Sequence, residues 1–301
     1  MGIVFWRFSM VRLILTFIVN FFILASFWML VQFVHPLSWP FLQDTFRSLA
    51  IPYDVLHITV VLSAAILLVS CALTRTAIMQ MFVCWLTGCK RPVGEEADKL
   101  EYIMAHVCRC SGIPRQDFKL YVSNMKAYNA FAVGNNHIAV TRPLLYQLAV
   151  RPLCGILAHE MGHLVHGDSR IGYMCYVMSW FGNFVIRLYQ WIITVLNFLS
   201  FIPFAGIFLV PITWFFLLQT YVFHFLLNLP LWFTNQFLSR RDEYAADRYA
   251  CEIGLGRELY EGLSLLSAGE RKQSFWQGFA SDHPGTHKRL ERIERYLYGN
   301  E

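Results

Sequence analysis

Charge is scarce in this chain. Of its 301 residues, 15% are Asp, Glu, Lys or Arg and 56% are hydrophobic, which is far from the balance of a water-soluble globular protein. The net charge is +5, but the basic residues are scattered and flank apolar segments, as membrane anchors do, so nucleic acid is not an expected partner. Internal repeats and low-complexity segments are lacking as well. The composition therefore predicts a protein whose partner is a lipid bilayer.

The sequence also lacks a disulfide framework. Eight cysteines are present, but they do not cluster at compact spacings, and most fall in or beside apolar segments. Reduced thiols are therefore expected. Cys108 and Cys110 form a C-x-C pair, but side chains two residues apart diverge on a helix, so we do not expect them to share a metal ion.

The first long apolar segment predicts a transmembrane anchor. Residues 13–34 carry no charge and are long enough to cross a hydrocarbon core of ~30 Å. A secretory signal peptide is the alternative, because Arg7 and Arg12 precede the segment. The apolar run is too long for a signal peptide, however, and the bulky neighbours of His35 and Pro36 do not suit cleavage, so we expect a retained helix.

Two more apolar regions follow. Residues 55–73 predict a second span, interrupted by His57, while residues 77–87 are too short to cross again and are expected to lie at the interface or to extend the helix. Residues 171–238 fit a hairpin of two helices, with the turn between residues 199 and 211. Within these regions, His57 and His224 are expected inside helix bundles, and Arg187 is expected where a long helix enters the interface.

The remaining residues form the soluble part. Residues 88–170 and 239–301 hold nearly all the carboxylates and together have the composition of one ordinary domain. Helical periodicity predicts a helix from Glu95 to about Cys110, and alternation predicts short strands at Phe118–Val122 and His137–Thr141. The predicted fold is α+β, mostly α, with a small sheet in a domain inserted among four transmembrane helices, two of them within residues 1–87.

Residues 158–168, AHEMGHLVHGD, contain an H-E-x-x-H motif. His159 and His163 are four residues apart, so on a helix both imidazoles project from one face and can hold the same ion. Zinc usually has three protein ligands, and Ser169 occupies the position where a related pattern supplies a third histidine. The third ligand must therefore come from elsewhere.

An acidic motif after the apolar hairpin supplies the candidate. In SRRDEYAADRYA, residues 239–250, Glu243 and Asp247 share a helical face, so Glu243 can reach the ion while Asp247 accepts the N–H of a ligand histidine. Zinc held by two histidines and a glutamate keeps a position open for water and lowers the pKa of that water, and Glu160 can take its proton. The predicted cofactor is one zinc ion per chain, and the predicted chemistry is peptide hydrolysis.

Other interpretations are open for some of these residues. The arginines beside Glu243 and Asp247 allow both carboxylates to be simple ion-pair partners on a solvated helix face. His166 lies three residues after His163, but the helix turn carries it away from the ion, so we expect it to lie outside the ligand set. A structural zinc site in a membrane scaffold is a further alternative, although such a site is normally closed by four protein ligands and does not need Glu160.

The order of motifs resembles a known family. NAFAVG at 129–134, TRPLL at 141–145, HEMGH followed by GD, DEYAAD, and HPGTHKRLERI at 283–293 are similar to motifs of the HtpX-type heat-shock membrane metalloproteases and the related CAAX prenyl endopeptidases. The resemblance covers most of the soluble part. Two spans before the metal motif and two after it match the HtpX-type layout more closely, because the CAAX enzymes have more spans. The segment RPLCGILAHE departs from the pattern by lacking acidic residues at the helix start, which affects capping and not chemistry.

The resemblance implies roles for individual residues. His159, His163 and Glu243 are implied as zinc ligands, Glu160 as general base and Asp247 as a hydrogen-bond partner behind the ligands. The H-P-x-x-x-x-R pattern adds two residues near the site. These are His283, expected to help stabilise the oxyanion as a catalytic residue, and Arg289, expected to support Glu243.

The resemblance also implies a gluzincin-like protease fold and a biological role. The expected function is zinc-dependent cleavage of misfolded or damaged membrane proteins in stress-related quality control, with the active site facing the cytosol at a bacterial inner membrane. Basic residues before the first span and after the second support that orientation. A narrow-specificity CAAX-type or peptide-processing metalloprotease is the alternative.

The segment NAFAVG predicts the substrate contact. Related zinc proteases pair an edge strand with an extended substrate, so Asn129, Ala130, Phe131 and Ala132 are expected to bind protein or peptide substrates through main-chain hydrogen bonds. The alternative is an interior strand in which Asn129 caps a turn.

Overall fold

A computed structural model describes the backbone of residues 2–34, 55–134, 136–237, 239–270 and 286–299. Its first helices are α1 (Gly2–Val34), α2 (Val55–Leu73), α3 (Ala77–Leu86) and α4 (Glu95–Ser111), and a 3-10 turn covers Arg115–Asp117. The four described strands are β1 (Cys89–Lys90), which lies between α3 and α4, and then β2 (Lys119–Ser123), β3 (Ala130–Val133) and β4 (His137–Thr141). The later helices are α5 (Arg142–Gln147), α6 (Val150–His166), α7 (Asp168–Leu199), α8 (Ala205–Phe237), α9 (Ser239–Glu252), α10 (Gly256–Glu270) and α11 (Thr286–Tyr298).

The predicted fold class is confirmed, because the described chain is mostly helical with one small mixed sheet. The chain divides into two compact units. The first contains residues 1–10, 74–173 and 233–301, and therefore both pieces of the predicted soluble domain. The second contains residues 11–73 and 174–232.

In the first unit the sheet has the strand order β1-β2-β4-β3. Strands β2 and β4 are parallel, with Leu120 opposite Ile138, and the two outer pairs are antiparallel. Strand β3 is thus an edge strand that pairs with β4 alone in the described structure. The buried faces of these strands meet the apolar stripe of α4, which consists of Leu100, Ile103, Met104 and Val107 at helical spacing.

The register of β3 shows which backbone groups face outward. Asn129 accepts a hydrogen bond from the Thr141 amide at 2.9 Å, so these residues form a hydrogen-bonded pair. Such pairs alternate along an antiparallel ladder, and Ala130 and Ala132 fall on the non-hydrogen-bonded positions opposite Val140 and Ile138. Their amide and carbonyl groups therefore point away from β4, toward the open edge.

Helix α6 passes through the centre of the first unit. Residues 152–162 of this helix are all buried. At Gly155 it approaches α10 so closely that a Cβ atom would lie 2.0 Å from the backbone nitrogen of Leu259. At Gly162 a Cβ atom would lie 2.9 Å from the Cα of Ala246 in α9. Glycine at these two positions lets α10 and α9 each approach the backbone of α6 closely, about two turns apart along it.

The second unit has its own apolar core, formed by α1, α2, α7 and α8. Tyr189 is fully buried there and packs against Phe216 and Phe223, with ring centroids 5.3 and 5.6 Å apart. A polar contact also joins two of these helices. The side-chain oxygen of Asn20 accepts a hydrogen bond from the Gly182 amide at 3.1 Å, and its nitrogen donates to the Thr16 carbonyl.

The helices match the predicted spans to different degrees. Met10–Trp28 and Ala205–Leu227 are long and apolar enough to cross a membrane, and Thr59–Leu73 with Ala77–Leu86 meets the same criteria only as a broken helix pair. The described chain therefore has two or three candidate spans where four were predicted. Helix α7 occupies the remaining predicted position, and the turn of the predicted hairpin lies between α7 and α8.

Candidate metal centre

Helix α6 presents the two histidines of the metal motif. His159 and His163 lie one turn apart, and their Nε2 atoms are 3.2 Å from each other. The helix ends at Gly167, whose left-handed conformation (φ 82°) lets its amide donate back to the carbonyls of His163 and Leu164. The chain therefore turns immediately after the motif, and α7 starts at the next residue.

Helix α9 supplies the third donor. One carboxylate oxygen of Glu243 lies 3.4 Å from His159 Nε2, and the other lies 3.5 Å from His163 Nε2. Zinc ligands 2.0–2.1 Å from the ion in tetrahedral geometry are separated by about 3.3 Å. The three donors thus have the chemistry and the spacing of a zinc-binding triangle, and all three residues belong to one compact unit.

Asp247 and Arg289 support this triangle from behind. Asp247 Oδ1 lies 2.9 Å from His159 Nδ1, which leaves Nε2 of the same ring for the ion. Arg289 from α11 binds Asp247 with two nitrogens, at 2.8 and 2.6 Å, and reaches Glu243 with a third at 2.9 Å. The structure therefore brings both residues into contact with the histidine and glutamate of the triangle.

The close approach of these charged groups changes the pKa values of Arg289 and Asp247. Burial lowers the pKa of Arg289, but the carboxylates of Asp247, Glu243 and Glu160 outweigh that effect and raise it. Burial raises the pKa of Asp247, but Arg289 and the hydrogen bond from His159 lower it further than burial raises it. Both groups are therefore charged at neutral pH.

Glu160 lies between the two histidines in the sequence and is buried, with 5% of its surface exposed. Its charge contributes to raising the pKa of both His163 and Arg289, so it is close to the donor triangle. Glu160, Glu243 and Asp247 form a buried group of three carboxylates, and the described ion pairs to them come from Arg289 and His159 or His163. A divalent cation would balance the remaining negative charge.

The structure adds one residue that sequence reasoning missed. Asp168 Oδ2 lies 3.7 Å from His163 Nδ1, on the side of the ring opposite the triangle. Burial lowers the pKa of His163, but contacts with Asp168 and Glu243 raise it well above its usual value. The sequence feature that could have indicated this contact is the Gly-Asp pair after the motif, since the glycine turn brings the aspartate back toward the preceding helical turn.

The other predicted residues have varied positions. The ring of His166 packs edge-on against Tyr249, 6.0 Å between centroids, outside the donor triangle. Residues 129–132 lie at and in strand β3, which contacts α6. His224 approaches Gln190 at 3.4 Å in the second unit. His283 and the side chain of His57 lie outside the described residues.

Most of the chain matches a known protein family. The sequence model described as peptidase family M48 matches residues 95–297, which include the whole candidate site. Among curated proteins, the chain is 33% identical over 78 residues to Protease HtpX of Legionella pneumophila, covering 25% of this chain and 28% of that protein. It is 33% identical over 106 residues to a Protease HtpX homolog of Pelotomaculum thermopropionicum, covering 34% and 37%.

A third relative is a Protease HtpX homolog of Aquifex aeolicus, 32% identical over 101 residues, with 32% of this chain and 33% of that protein covered. The matches thus span about a third of the length of these curated relatives. Among solved structures, the chain resembles S. mikatae Ste24p with a TM-score of 0.44 and 19% identity, covering 89% of this chain and 64% of that one.

Proposed function

We propose, because this chain belongs to peptidase family M48, that it is a zinc-dependent membrane endopeptidase that cleaves misfolded or damaged membrane proteins on the cytosolic side. The observation that carries the proposal is the triangle of His159, His163 and Glu243, whose donor atoms have the separations of a zinc site. Three protein donors leave a position open, as catalytic zinc sites do.

Each of the protein residues at the site has its own role in the proposed hydrolysis. A bound zinc ion supplies Lewis acidity, which polarises the scissile carbonyl and lowers the pKa of water. Glu160 takes a proton from the attacking water and returns it to the leaving amine. Asp247 fixes the tautomer of His159, and Arg289 holds Asp247 and Glu243 in place. We assign stabilisation of the oxyanion to His283, in keeping with its motif.

The open edge of β3 supports a broad substrate range. Ala130 and Ala132 direct main-chain donors and acceptors outward, so an extended peptide could pair with them as an additional strand. Such pairing is largely indifferent to side chains. It therefore suits an enzyme that accepts many unfolded segments better than it suits a narrow CAAX-type or peptide-processing enzyme.

The meeting of the metal donors in one unit and the placement of basic residues support a cytosolic site. Because His159 and Glu243 meet in one unit, the apolar segment between them must start and end on one side of the bilayer. Basic residues at positions 7 and 12, and at 75, 90 and 91, flank the first two apolar segments, and such residues favour the cytosolic side. A bacterial inner membrane is the proposed location.

The decisive experiment replaces Glu160 with Gln. Casein hydrolysis by the purified protein should fall by about 10²–10⁴-fold, because the proton acceptor is lost, while zinc content measured by mass spectrometry stays near one ion per chain. Glu101→Gln is the matched control, since Glu101 is exposed and pairs with Arg115. Hydrolysis that persists in Glu160→Gln, or zinc that is lost with it, would overturn the assignment of this residue.

The substrate class needs a separate test. Proteomics of the membrane fraction should show membrane proteins that accumulate when the intact enzyme is replaced by Glu160→Gln, because the variant can bind them without cleaving them. If soluble peptides or one prenylated protein accumulate instead, the quality-control role is wrong and the narrow-specificity alternative is favoured.

A further inference from the structure

Helix α3 exposes an apolar face that the proposed chemistry does not use. Ile78, Met81 and Trp85 are 81%, 60% and 69% exposed, and Phe82 is 44% exposed. These residues follow the spacing i, i+3, i+4, i+7, so they form one stripe along the helix. Phe82 and Trp85 stack at 6.0 Å, which makes the stripe a continuous aromatic and aliphatic surface. Large apolar stripes of this kind mark contacts with membranes or partners.

The opposite face of α3 is buried against the sheet. Gln80, Val83 and Cys84 are buried, and the Gln80 side chain lies against Gly134 in the turn between β3 and β4. Cys84 packs with Tyr121 of β2 and Ala139 of β4. The helix therefore buries a glutamine and exposes a tryptophan, which is the reverse of a helix that faces water.

Basic residues lie before and after α3 in the sequence. Arg75 precedes the helix, Lys90 and Arg91 follow it, and all three side chains are exposed. Cations of this kind complement anionic phospholipid headgroups. A helix of 10 residues is ~15 Å long, so it cannot cross a hydrocarbon core of ~30 Å.

The sequence neighbourhood indicates the occupant of the stripe. Helix α2, an apolar segment, ends at Leu73, and three residues separate it from the start of α3. The chain that enters α3 therefore comes directly from a segment of membrane character. A bilayer with anionic headgroups is complementary to both the apolar stripe and the flanking cations.

We propose that α3 is an interfacial anchor, lying in the headgroup region of a bilayer that contains anionic phospholipids, with Ile78, Met81, Phe82 and Trp85 inserted among the acyl chains. Since α3 is packed on the sheet that ends in β3, this anchor holds the open strand edge at a fixed depth beside the lipid. The consequence for substrates rests on the proposed protease function: the edge receives chain segments where they emerge from the bilayer.

Photocrosslinking tests the anchor independently of activity. Trp85 is replaced by p-benzoylphenylalanine in protein reconstituted into nanodiscs that contain phosphatidylcholine and phosphatidylglycerol. Tyr102 on α4 is the matched control, because it is also aromatic and is 65% exposed. We expect phospholipid adducts at position 85 and none at position 102, with phosphatidylglycerol enriched about fivefold over its share of the disc.

Three results would overturn the anchor. They are the absence of lipid adducts at position 85, equal adducts at both positions, and a crosslink from position 85 to a second copy of the chain. The variant Trp85→Phe keeps an aromatic side chain at this position. If its unfolding temperature in detergent equals that of the wild-type protein, a failure to crosslink lipid at position 85 is not caused by unfolding.

Catalysis tests the consequence for substrates. Met81→Ser with Trp85→Ser should lower cleavage of a reporter anchored in proteoliposomes by about tenfold, because the edge is no longer held beside the lipid, while casein turnover in detergent changes by less than about twofold. Equal loss on both substrates would overturn the positioning role. If the wild-type protein cleaves neither substrate, the protease proposal fails, whereas the lipid adduct at position 85 still decides the anchor.

Discussion

Arg289 is the residue on which the buried charges of the site converge. Its guanidinium contacts both Asp247 and Glu243, and 3% of its surface is exposed. Arg289→Met would leave these carboxylates without their cation, so we expect the free energy of unfolding to drop by about 3–5 kcal/mol. Arg292→Met on the same helix is the control, since Arg292 is exposed and stacks on Tyr244 at 3.8 Å. Thermal unfolding in detergent, with and without zinc, measures both, and equal stability of the two variants would contradict the prediction.

Glu243 should control metal occupancy itself. Glu243→Ala removes one of three donors, so we expect zinc per chain to fall well below one after dialysis, and His159→Ala should behave in the same way. Glu252→Ala in the same helix keeps full occupancy, because Glu252 is 62% exposed and pairs with Arg248. Stoichiometric zinc in Glu243→Ala would mean that another residue is the third ligand.

His137 should make the first unit sensitive to acid. It is 1% exposed in strand β4, and burial, with the nearby charge of Lys119, lowers its pKa to about 4. The unfolded chain, with a pKa near 6.5, binds a proton first as the pH falls, so stability declines between about pH 6.5 and 4, by up to about 3 kcal/mol. His137→Phe keeps an aromatic ring beside Tyr121 and should flatten this part of the profile. Identical profiles of unfolding temperature against pH for the two proteins would refute the assignment.

At the scale of elements, the crossing of α6 and α10 depends on one missing side chain. Gly155→Ala would push a methyl group into the backbone of α10 at Leu259, so we expect a loss of about 3 kcal/mol through overpacking. Gly172→Ala is the matched control, because the added carbon would have no atom within 4 Å apart from its own stretch of helix. That control should be neutral or stabilising by up to about 1 kcal/mol, through helix propensity. Unfolding temperatures report both changes, and a neutral Gly155→Ala would argue against the close crossing.

Strand β3 allows a sharper test of substrate pairing. Ala132→Pro removes an amide that points to the open edge, so KM for casein should rise and kcat should fall while zinc content and unfolding temperature change little. Phe131→Pro removes an amide directed toward β4 and should destabilise the sheet instead. Normal kinetics in a folded Ala132→Pro protein would exclude this edge as the main substrate contact.

At the scale of the whole molecule, the fixed position of the two soluble pieces predicts topology. Single cysteines at Gln43 and Gly269, in a cysteine-free background, should differ in labelling by a membrane-impermeant reagent. The first lies between the first two apolar segments, outside the described residues, and should label from the outer face. Gly269 lies in the unit that contains the metal site and should be protected in intact cells. Labelling of both from the outer face would contradict the orientation.

The parts of the molecule that could be predicted from sequence are those set by local spacing. Residues four apart on a helix share a face, so the pairs His159 with His163 and Glu243 with Asp247 followed directly from the sequence. Pairing between distant strands depends on tertiary packing, and the parallel register of Leu120 with Ile138 has no local signal. Strand β1, with two residues, is too short for any alternation to be visible.

Site residues that belong to a sequence motif could be predicted, whereas a residue placed by a turn could not. Asp168 reaches His163 because the left-handed conformation of Gly167 ends the helix and turns the chain there, and neither residue belongs to the metal motif. Likewise, the sequence left open whether residues 77–87 extend the preceding helix. The structure makes α3 a separate helix with a buried face on the sheet, because Gln80 and Cys84 find partners there.

The division of the metal site between α6 and α9 has a consequence for biosynthesis. His159 and His163 leave the ribosome before the apolar helices α7 and α8, and Glu243 leaves after them. A nascent chain that has not yet delivered both helices to the membrane therefore carries two donors and lacks the third. The candidate metal site is completed only after translation of the hairpin, so the proposed hydrolytic activity cannot appear before α7 and α8 have been made.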